Sequence, residues 1–156
     1  MKDTKIAVKK GNEGGEPRIQ YAALPWRTAE PNELEILIVS SRDTRRWIIP
    51  KGWPMKGRKP HIAAAAEALE EAGLLGRIEK ERLGSYHYFK RLENGARLLC
   101  RVDVFPMKVL RQRKTWREQN QRMTQWVPLA RAAQLVEEPE LSRLISAFGE
   151  VFIGVG

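Results

Sequence analysis

The stretch GWPMKGRKPHIAAAAEALEEAGL, residues 52–74, crowds the carboxylates of Glu67, Glu70 and Glu71 into a chain whose other charges are mostly positive. An unbroken run of strong helix formers from His61 to Ala72, six of them alanines, predicts a helix. Spacings of three and four residues bring the carboxylates to one side of that helix, where like charges destabilise it by about 0.2–0.5 kcal/mol per pair. The cluster therefore needs compensation, and a hard divalent metal ion prefers such a set of oxygens.

Small residues define how this helix is expected to pack. Ala65, Leu69 and Ala72 form a narrow apolar stripe that lets the helix lie close to a sheet. Pro60 suits the first turn of the helix and Gly73 suits its end.

The composition predicts a basic protein with one hydrophobic core. Its 156 residues are 42% hydrophobic, which is enough for one domain of ordinary size. The net charge of +9 favours polyanionic partners such as nucleotides, nucleic acids or inositol phosphates. The single cysteine, Cys100, excludes an internal disulfide and is expected to pack in the core. No apolar run approaches the roughly 20 residues that span a bilayer, and no secretory signal opens the chain, so we expect a cytoplasmic protein without membrane contact.

The predicted elements follow the order β-β-β-α-β-β-β-α. We expect a flexible basic tail over residues 1–16, a single domain over 17–150 and a C-terminal tail over 151–156. The turn signal Asn94-Gly95 predicts a β-hairpin with RIEKERLGSYHYFKRL and ARLLCRVDVFPMKVL as its arms. Other strands are predicted in RIQYAALPW, ELEILIVSS, RRWIIP and TQWVPL, and helices in ARAAQLV and PELSRLISAFGEVF. This pattern favours an α/β fold in which helices cover both faces of a partly antiparallel, mixed sheet.

The spacing of residues 52–74 resembles the Nudix box, G-x5-E-x7-R-E-U-x-E-E-x-G-U, in which U is aliphatic. The resemblance to Nudix hydrolases extends from about Pro17 to about Phe148. The segments VSSRDTRRWIIPKGW and QRMTQWVPLARAAQLVEEPEL are most similar to the diphosphoinositol polyphosphate phosphohydrolase branch and its plant and bacterial relatives. The family fold that this resemblance implies is an α/β/α sandwich with a mixed β-sheet between helices.

The resemblance also implies an activity, which is hydrolysis of a phosphoanhydride bond by activated water with Mg²⁺, or alternatively Mn²⁺, as cofactor. On the family pattern Glu67, Glu70 and Glu71 are metal ligands and candidates for the catalytic base, and the carbonyl of Gly52 is a further ligand. Many members use an acid on a loop outside the box, and Glu118 is the candidate catalytic residue of that kind. Which glutamate acts as the base stays open.

Two positions depart from the box. Arg58 stands where the box has its first glutamate, and Ala66 stands where it has an arginine that, in the family, pairs with a box glutamate. Activity is then either reduced or dependent on another cation for orientation. The alternative is a catalytically weakened Nudix-fold protein that binds nucleotides, polyphosphates or RNA.

A basic segment just before the acidic helix predicts where the substrate binds, because arginine and lysine side chains bind phosphate oxygens. The predicted substrate-binding residues are Ser40, Ser41, Arg46, Lys51, Trp53 and Arg58. His87 and Lys90 are further candidates, because the equivalent hairpin lines the pocket in relatives.

The expected partner is a polyphosphorylated small molecule. Its predicted classes are a nucleoside diphosphate derivative, a dinucleoside polyphosphate and a diphosphoinositol polyphosphate. RNA is the alternative partner, contacted through the basic N-terminal tail or through residues 111–117. Within the family, an RNA 5′ end is the corresponding alternative substrate. The sequence leaves open whether the chain is a monomer or a homodimer.

Overall fold

The computed structural model of the chain describes residues 15–155, and these residues form eight strands and three helices. The strands are β1 (Arg18–Glu30), β2 (Glu33–Ser40), β3 (Trp47–Ile48), β4 (Lys51–Gly52), β5 (Leu74–Ile78), β6 (Gly84–Arg91), β7 (Arg97–Gln112) and β8 (Thr124–Pro128). The helices are α1 (Pro60–Ala72), α2 (Leu129–Leu135) and α3 (Pro139–Val155). Most of the tail predicted over 1–16 lies outside the described residues. α3 continues into the tail predicted over 151–156, as far as Val155.

All eight strands belong to one mixed sheet. The long strands β1 and β7 are parallel neighbours at its centre, and every other pairing is antiparallel. β2 continues the sheet beyond β1 and also pairs with β3 and β8, whereas β5 and β6 both pair with β7. The sequence prediction of a mixed sheet is therefore confirmed.

The predicted hairpin is present, but its first arm is shorter than expected. β6 and β7 pair in register from Gly84 opposite Val104 to Arg91 opposite Arg97, with the Asn94-Gly95 turn between them. The first two residues of the predicted arm, Arg77 and Ile78, belong instead to a separate strand, β5, that pairs with the far end of β7. Because β7 is sixteen residues long, it is long enough to pair with two shorter strands along one edge.

Two apolar cores lie on the two faces of the sheet. α1 packs through Ala64, Ala68 and Ala72 against residues such as Leu37 and Phe105. The second core contains residues of α2 and α3, namely Ala132, Leu141, Ile145 and Phe148. The fold is therefore the predicted α/β/α sandwich. None of the helices in residues 15–155 is long and apolar enough to span a membrane.

The sheet-facing side of α1 differs from the predicted stripe. Ala64, Ala68 and Ala72 are fully buried, whereas Ala65 and Leu69 are only partly buried. The helix is thus turned by about one residue from the predicted orientation. In this orientation Glu71 is also buried, with 3% of its surface exposed, so one carboxylate of the cluster lies between the helix and the sheet.

Candidate functional site

The acidic helix and the basic loop before it both line one cavity of about 300 Å³. Its acidic lining comes from Glu67, Glu70 and Glu71 of α1, from Glu118 of the loop before β8 and from Asp43 of the loop after β2. Its basic lining comes from four side chains on four different parts of the chain, which are Arg42, Lys51, Lys90 and Arg122. Negative and positive charges therefore share one concave site, as a bound metal–phosphate group would require.

Gly52 approaches the first of these glutamates very closely. A methyl group at position 52 would lie 2.0 Å from Oε2 of Glu67, so only glycine leaves room for the carboxylate. β4 holds Gly52 in place by pairing with β1, where Gly52 lies opposite Tyr21. The predicted metal ligands Gly52 and Glu67 are thus neighbours in space.

The end of β7 and the loop that follows it bind the C-terminal end of α1. The last carbonyls of a helix lack partners within the helix, and these two segments supply donors for them. Gln112 Nε2 donates to the carbonyl of Ala72 (2.9 Å), the Trp116 indole N–H to that of Glu71 (3.2 Å), and the Glu118 backbone N–H to that of Glu70 (3.0 Å). These bonds explain how a glutamate far along the chain reaches the acidic cluster, as the sequence predicted for Glu118.

The site is electrostatically costly without a ligand. Burial raises the pKa of Glu71 to about 8, an effect that Arg122 opposes and Glu67 reinforces. Burial also raises the pKa of Glu67, whose carboxylate is less deeply enclosed. On the basic side, burial lowers the pKa of Lys51 to about 8, while the charge of Glu71 acts in the opposite direction. Both charged forms would therefore gain from a ligand of opposite charge.

Sequence reasoning missed Arg122, which within residues 15–155 is the only cation within 4.0 Å of a carboxylate of the acidic cluster. Its Nε donates to Oε1 of Glu118 at 2.7 Å, and one terminal nitrogen lies 3.6 Å from Oε2 of Glu71. The only signal in the sequence was its position four residues after Glu118. That spacing brings side chains together in a helix, but this segment is a loop, so the pairing depends on the tertiary structure.

The donor chemistry of the site fits a hard divalent cation. Oε1 of Glu71 is buried and has no hydrogen-bond partner, which leaves one carboxylate oxygen available to a ligand. Carboxylate and carbonyl oxygens are the ligands that Mg²⁺ prefers. In this conformation, no three His, Cys, Asp or Glu side chains within residues 15–155 converge into a complete metal site.

The predicted substrate-binding residues divide into two groups. Ser41, Lys51 and Trp53 line the cavity together with Lys90. Lys51 lies over the ring of Tyr88, with Nζ 4.6 Å from the ring centroid, and this contact orients its ammonium group.

The other predicted residues, Ser40, Arg46 and Arg58, do not line this cavity. Ser40 is buried, and its hydroxyl accepts a hydrogen bond from the Met123 backbone N–H at 2.9 Å. Arg46 donates a short hydrogen bond to Glu138, and Arg58 contacts the sulfur of Met55. Ser40 and Arg46 are thus engaged in contacts that hold the protein together.

The amino-acid sequence of the chain is similar to those of known proteins. No protein-family model matches the chain. Curated relatives include Nudix hydrolase 17, mitochondrial, of Arabidopsis thaliana, which is 32% identical over 103 residues, covering 66% of this chain and 54% of that protein. They also include Nudix hydrolase 12, mitochondrial, of the same plant, which is 28% identical over 120 residues, covering 75% and 59%. The chain belongs to the Nudix hydrolase family.

Solved structures show the same Nudix fold. The crystal structure of a C. elegans Ap4A hydrolase matches with a TM-score of 0.62 at 16% identity, covering 88% of this chain and 99% of that one. The Nudix domain of Shewanella oneidensis NrtR, solved with ADP ribose, matches with a TM-score of 0.62 at 13% identity, covering 94% and 98%. The chain spans 54–64% of the length of its curated Nudix relatives.

Proposed function

We propose that this Nudix chain is a metal-dependent hydrolase that cleaves a phosphoanhydride bond in a polyphosphorylated small molecule. The observation that carries the proposal is the single cavity in which four glutamates face Lys51, Lys90 and Arg42. The named activities of relatives agree with it, since they include hydrolysis of a dinucleoside polyphosphate, and a related domain binds ADP ribose.

The basic side of the cavity would bind the phosphate chain. Lys51 and Lys90 also line an adjoining pocket of about 250 Å³, to which Arg91 contributes further positive charge. Several cations lining adjoining pockets favour a substrate with several phosphates, because each ammonium or guanidinium group binds phosphate oxygens. We therefore place dinucleoside polyphosphates and diphosphoinositol polyphosphates ahead of substrates with two phosphates.

The acidic side would hold the cofactor. Glu67, Glu70 and Glu71, with the carbonyl of Gly52, are the residues that would bind Mg²⁺ or Mn²⁺. The bound ion would neutralise phosphate charge and lower the pKa of a coordinated water molecule.

The remaining chemistry belongs to the side chains of this protein. A glutamate of the cluster, with Glu118 among the candidates, accepts the proton of the attacking water. A new bond forms between the water oxygen and phosphorus, the bridging P–O bond breaks, and the leaving phosphate departs with the negative charge. Lys51 and Lys90 stabilise that charge as it develops.

The test measures phosphate or pyrophosphate release with Mg²⁺ from a panel of substrates. The panel contains diadenosine polyphosphates, nucleoside diphosphate sugars, nucleoside triphosphates, capped RNA and a diphosphoinositol phosphate. We expect the wild type to hydrolyse at least one of them, and Glu70→Gln to lower kcat about 100-fold or more, because it removes one metal-binding charge.

The matched control is Glu150→Gln, which removes an exposed carboxylate on α3 and should leave the rate unchanged. Equal rates for the wild type and Glu70→Gln would overturn the proposal. Binding of a substrate without any release of phosphate would favour the alternative, a Nudix-fold binding protein. Release from capped RNA alone would point to an RNA 5′ end as the substrate.

A further inference from the structure

The acidic cluster receives no positive charge from its own helix. α1 contains no lysine or arginine between Pro60 and Ala72. Position 66, one residue before the first glutamate, is an alanine. The cations that hold the buried carboxylates must therefore come from other elements of the fold.

Arg122, in the loop before β8, is such a cation. It donates to Glu118 at 2.7 Å and lies 3.6 Å from Glu71, and its NH1 group donates to the backbone carbonyl of Ser40 at 3.1 Å. Only 9% of its side-chain surface is exposed, so these interactions are weakly screened by water. Within residues 15–155, it is the only cation within 4.0 Å of the carboxylate of Glu71 or Glu118.

The backbone next to Arg122 is itself fixed. The Met123 N–H donates to the hydroxyl of Ser40, and the Ser40 N–H donates to the carbonyl of Met123, both at 2.9 Å. These two bonds join the loop to the end of β2. Because β8 continues from the loop and pairs with β2, the sheet determines where the guanidinium group lies.

We propose that Arg122 is a positioning residue that holds the carboxylates of Glu71 and Glu118 in their working orientation. It supplies from a separate loop the positive charge that α1 lacks at Ala66. This inference rests on the proposed function for its effect on turnover, whereas its structural part, the coupling of Arg122 to the two glutamates, can be measured without substrate.

The first experiment uses the metal-free protein. Urea midpoints are measured for the wild type, Arg122→Ala, Glu118→Gln and the double variant. If the pair interacts as the structure indicates, the double variant loses less than the sum of the two single losses. Additive losses would overturn the inference. Arg77→Ala, which removes an exposed arginine on β5, is the matched control and should leave the midpoint unchanged.

The second experiment adds a compensating cation. Ala66→Arg is introduced into the Arg122→Ala background, where it lies four residues before Glu70 on the helix surface. We expect Arg122→Ala to lower kcat about 30-fold and to change KM less than threefold. Adding Ala66→Arg to that variant should raise kcat at least tenfold. The kcat of Arg122→Lys should lie between those of the wild type and Arg122→Ala. An ammonium group cannot contact two carboxylates and a carbonyl as the guanidinium fork does.

The outcomes separate the inference from the proposed function. A kcat of Arg122→Ala within threefold of the wild type, or no gain on adding Ala66→Arg, would overturn the positioning role. If the wild type hydrolyses nothing in the panel, the proposed function fails, and the urea cycle alone then decides the inference. Additive losses in that cycle would overturn it, and a double variant that loses less than the sum would support it.

Discussion

Gly52 and Glu67 are so close that a methyl group at position 52 would lie 2.0 Å from the Glu67 carboxylate. The contact joins the strand β4 to the helix α1 at the mouth of the cavity. It gives a structural reason for a glycine at this end of the acidic segment, since any other side chain would displace a predicted metal ligand.

Gly52→Ala is therefore expected to damage turnover more than folding. The displaced atoms are the far end of a flexible side chain, so the free energy of unfolding should fall by only about 1 kcal/mol. A ligand moved by about 1 Å can cost roughly 100-fold in kcat. Gly95→Ala is the control, because its φ of 87° strains an alanine in a turn with open space around it. It should lower stability without lowering kcat, and a Gly52→Ala enzyme with normal kcat would contradict the prediction.

Glu71→Gln should stabilise the metal-free protein in a pH-dependent way. Burial raises the pKa of Glu71 from its ordinary value of 4.5 to about 8, so the folded state binds this proton more tightly than the unfolded state. The contribution of Glu71 to stability is therefore fully present below about pH 4.5, falls as the pH rises, and levels off above about pH 8.

The glutamine variant lacks this loss, so its advantage in the free energy of unfolding should grow across the same pH range, by at least about 1 kcal/mol. Urea denaturation at several pH values measures the difference. For Glu150→Gln, on the exposed side of α3, the difference in the free energy of unfolding from the wild type should not change with pH. A flat curve for Glu71→Gln as well would show that Arg122 and Lys51 offset the cost of burial.

Trp116 links the position of the loop to the stability of α1. Its indole N–H donates to the carbonyl of Glu71, and its ring packs over Gly73, where a methyl group would lie 2.4 Å from a ring carbon. Trp116→Phe keeps the ring and should cost about 1 kcal/mol for the lost hydrogen bond. Trp116→Ala should cost roughly 2 kcal/mol or more and also lower kcat, because Glu118 loses its support.

Thr115→Ala changes an exposed neighbour in the same loop and serves as the control for both measurements. Urea midpoints and kcat are compared for the three variants. Loss of stability in Trp116→Ala with an unchanged kcat would mean that the loop does not position Glu118.

Arg46→Ala separates a structural role from the predicted substrate contact. Arg46 donates to the buried Glu138, whose second carboxylate oxygen has no hydrogen-bond partner. Removing the arginine leaves that charge buried and unpaired, so the free energy of unfolding should fall by about 2 kcal/mol or more, with little change in KM.

Glu138→Gln is the matched variant, and combining it with Arg46→Ala should relieve part of the loss because no buried charge is left. The opposite result, a higher KM with unchanged stability, would support the substrate contact predicted from the sequence.

Local patterns predicted several of the residues that line the candidate cavity. The helix and the shared side of its carboxylates follow from the 3.6-residue period, which holds wherever a helix forms. The Asn94-Gly95 hairpin follows from turn chemistry in the same way. The position of Glu118 in a polar connecting segment predicted it as a candidate residue, and in the structure it lines the cavity.

Contacts between distant segments could not be predicted. Arg46 lies in the basic segment that suggested phosphate binding, yet it pairs with Glu138 across a long interval of sequence. The face of α1 that meets the sheet was also wrong by about one residue, because alanines on several sides of the helix make the pattern ambiguous.

The sequence by itself determined that this chain forms a Nudix helix with three crowded carboxylates beside a basic loop. Those features depend on backbone geometry and on neighbours within a few residues. Only the tertiary structure decided which cation meets the carboxylates, since Arg122 reaches Glu71 through the pairing of β2 with β8. That contact joins segments far apart in the chain, and its position depends on how the sheet and the loop fold around α1.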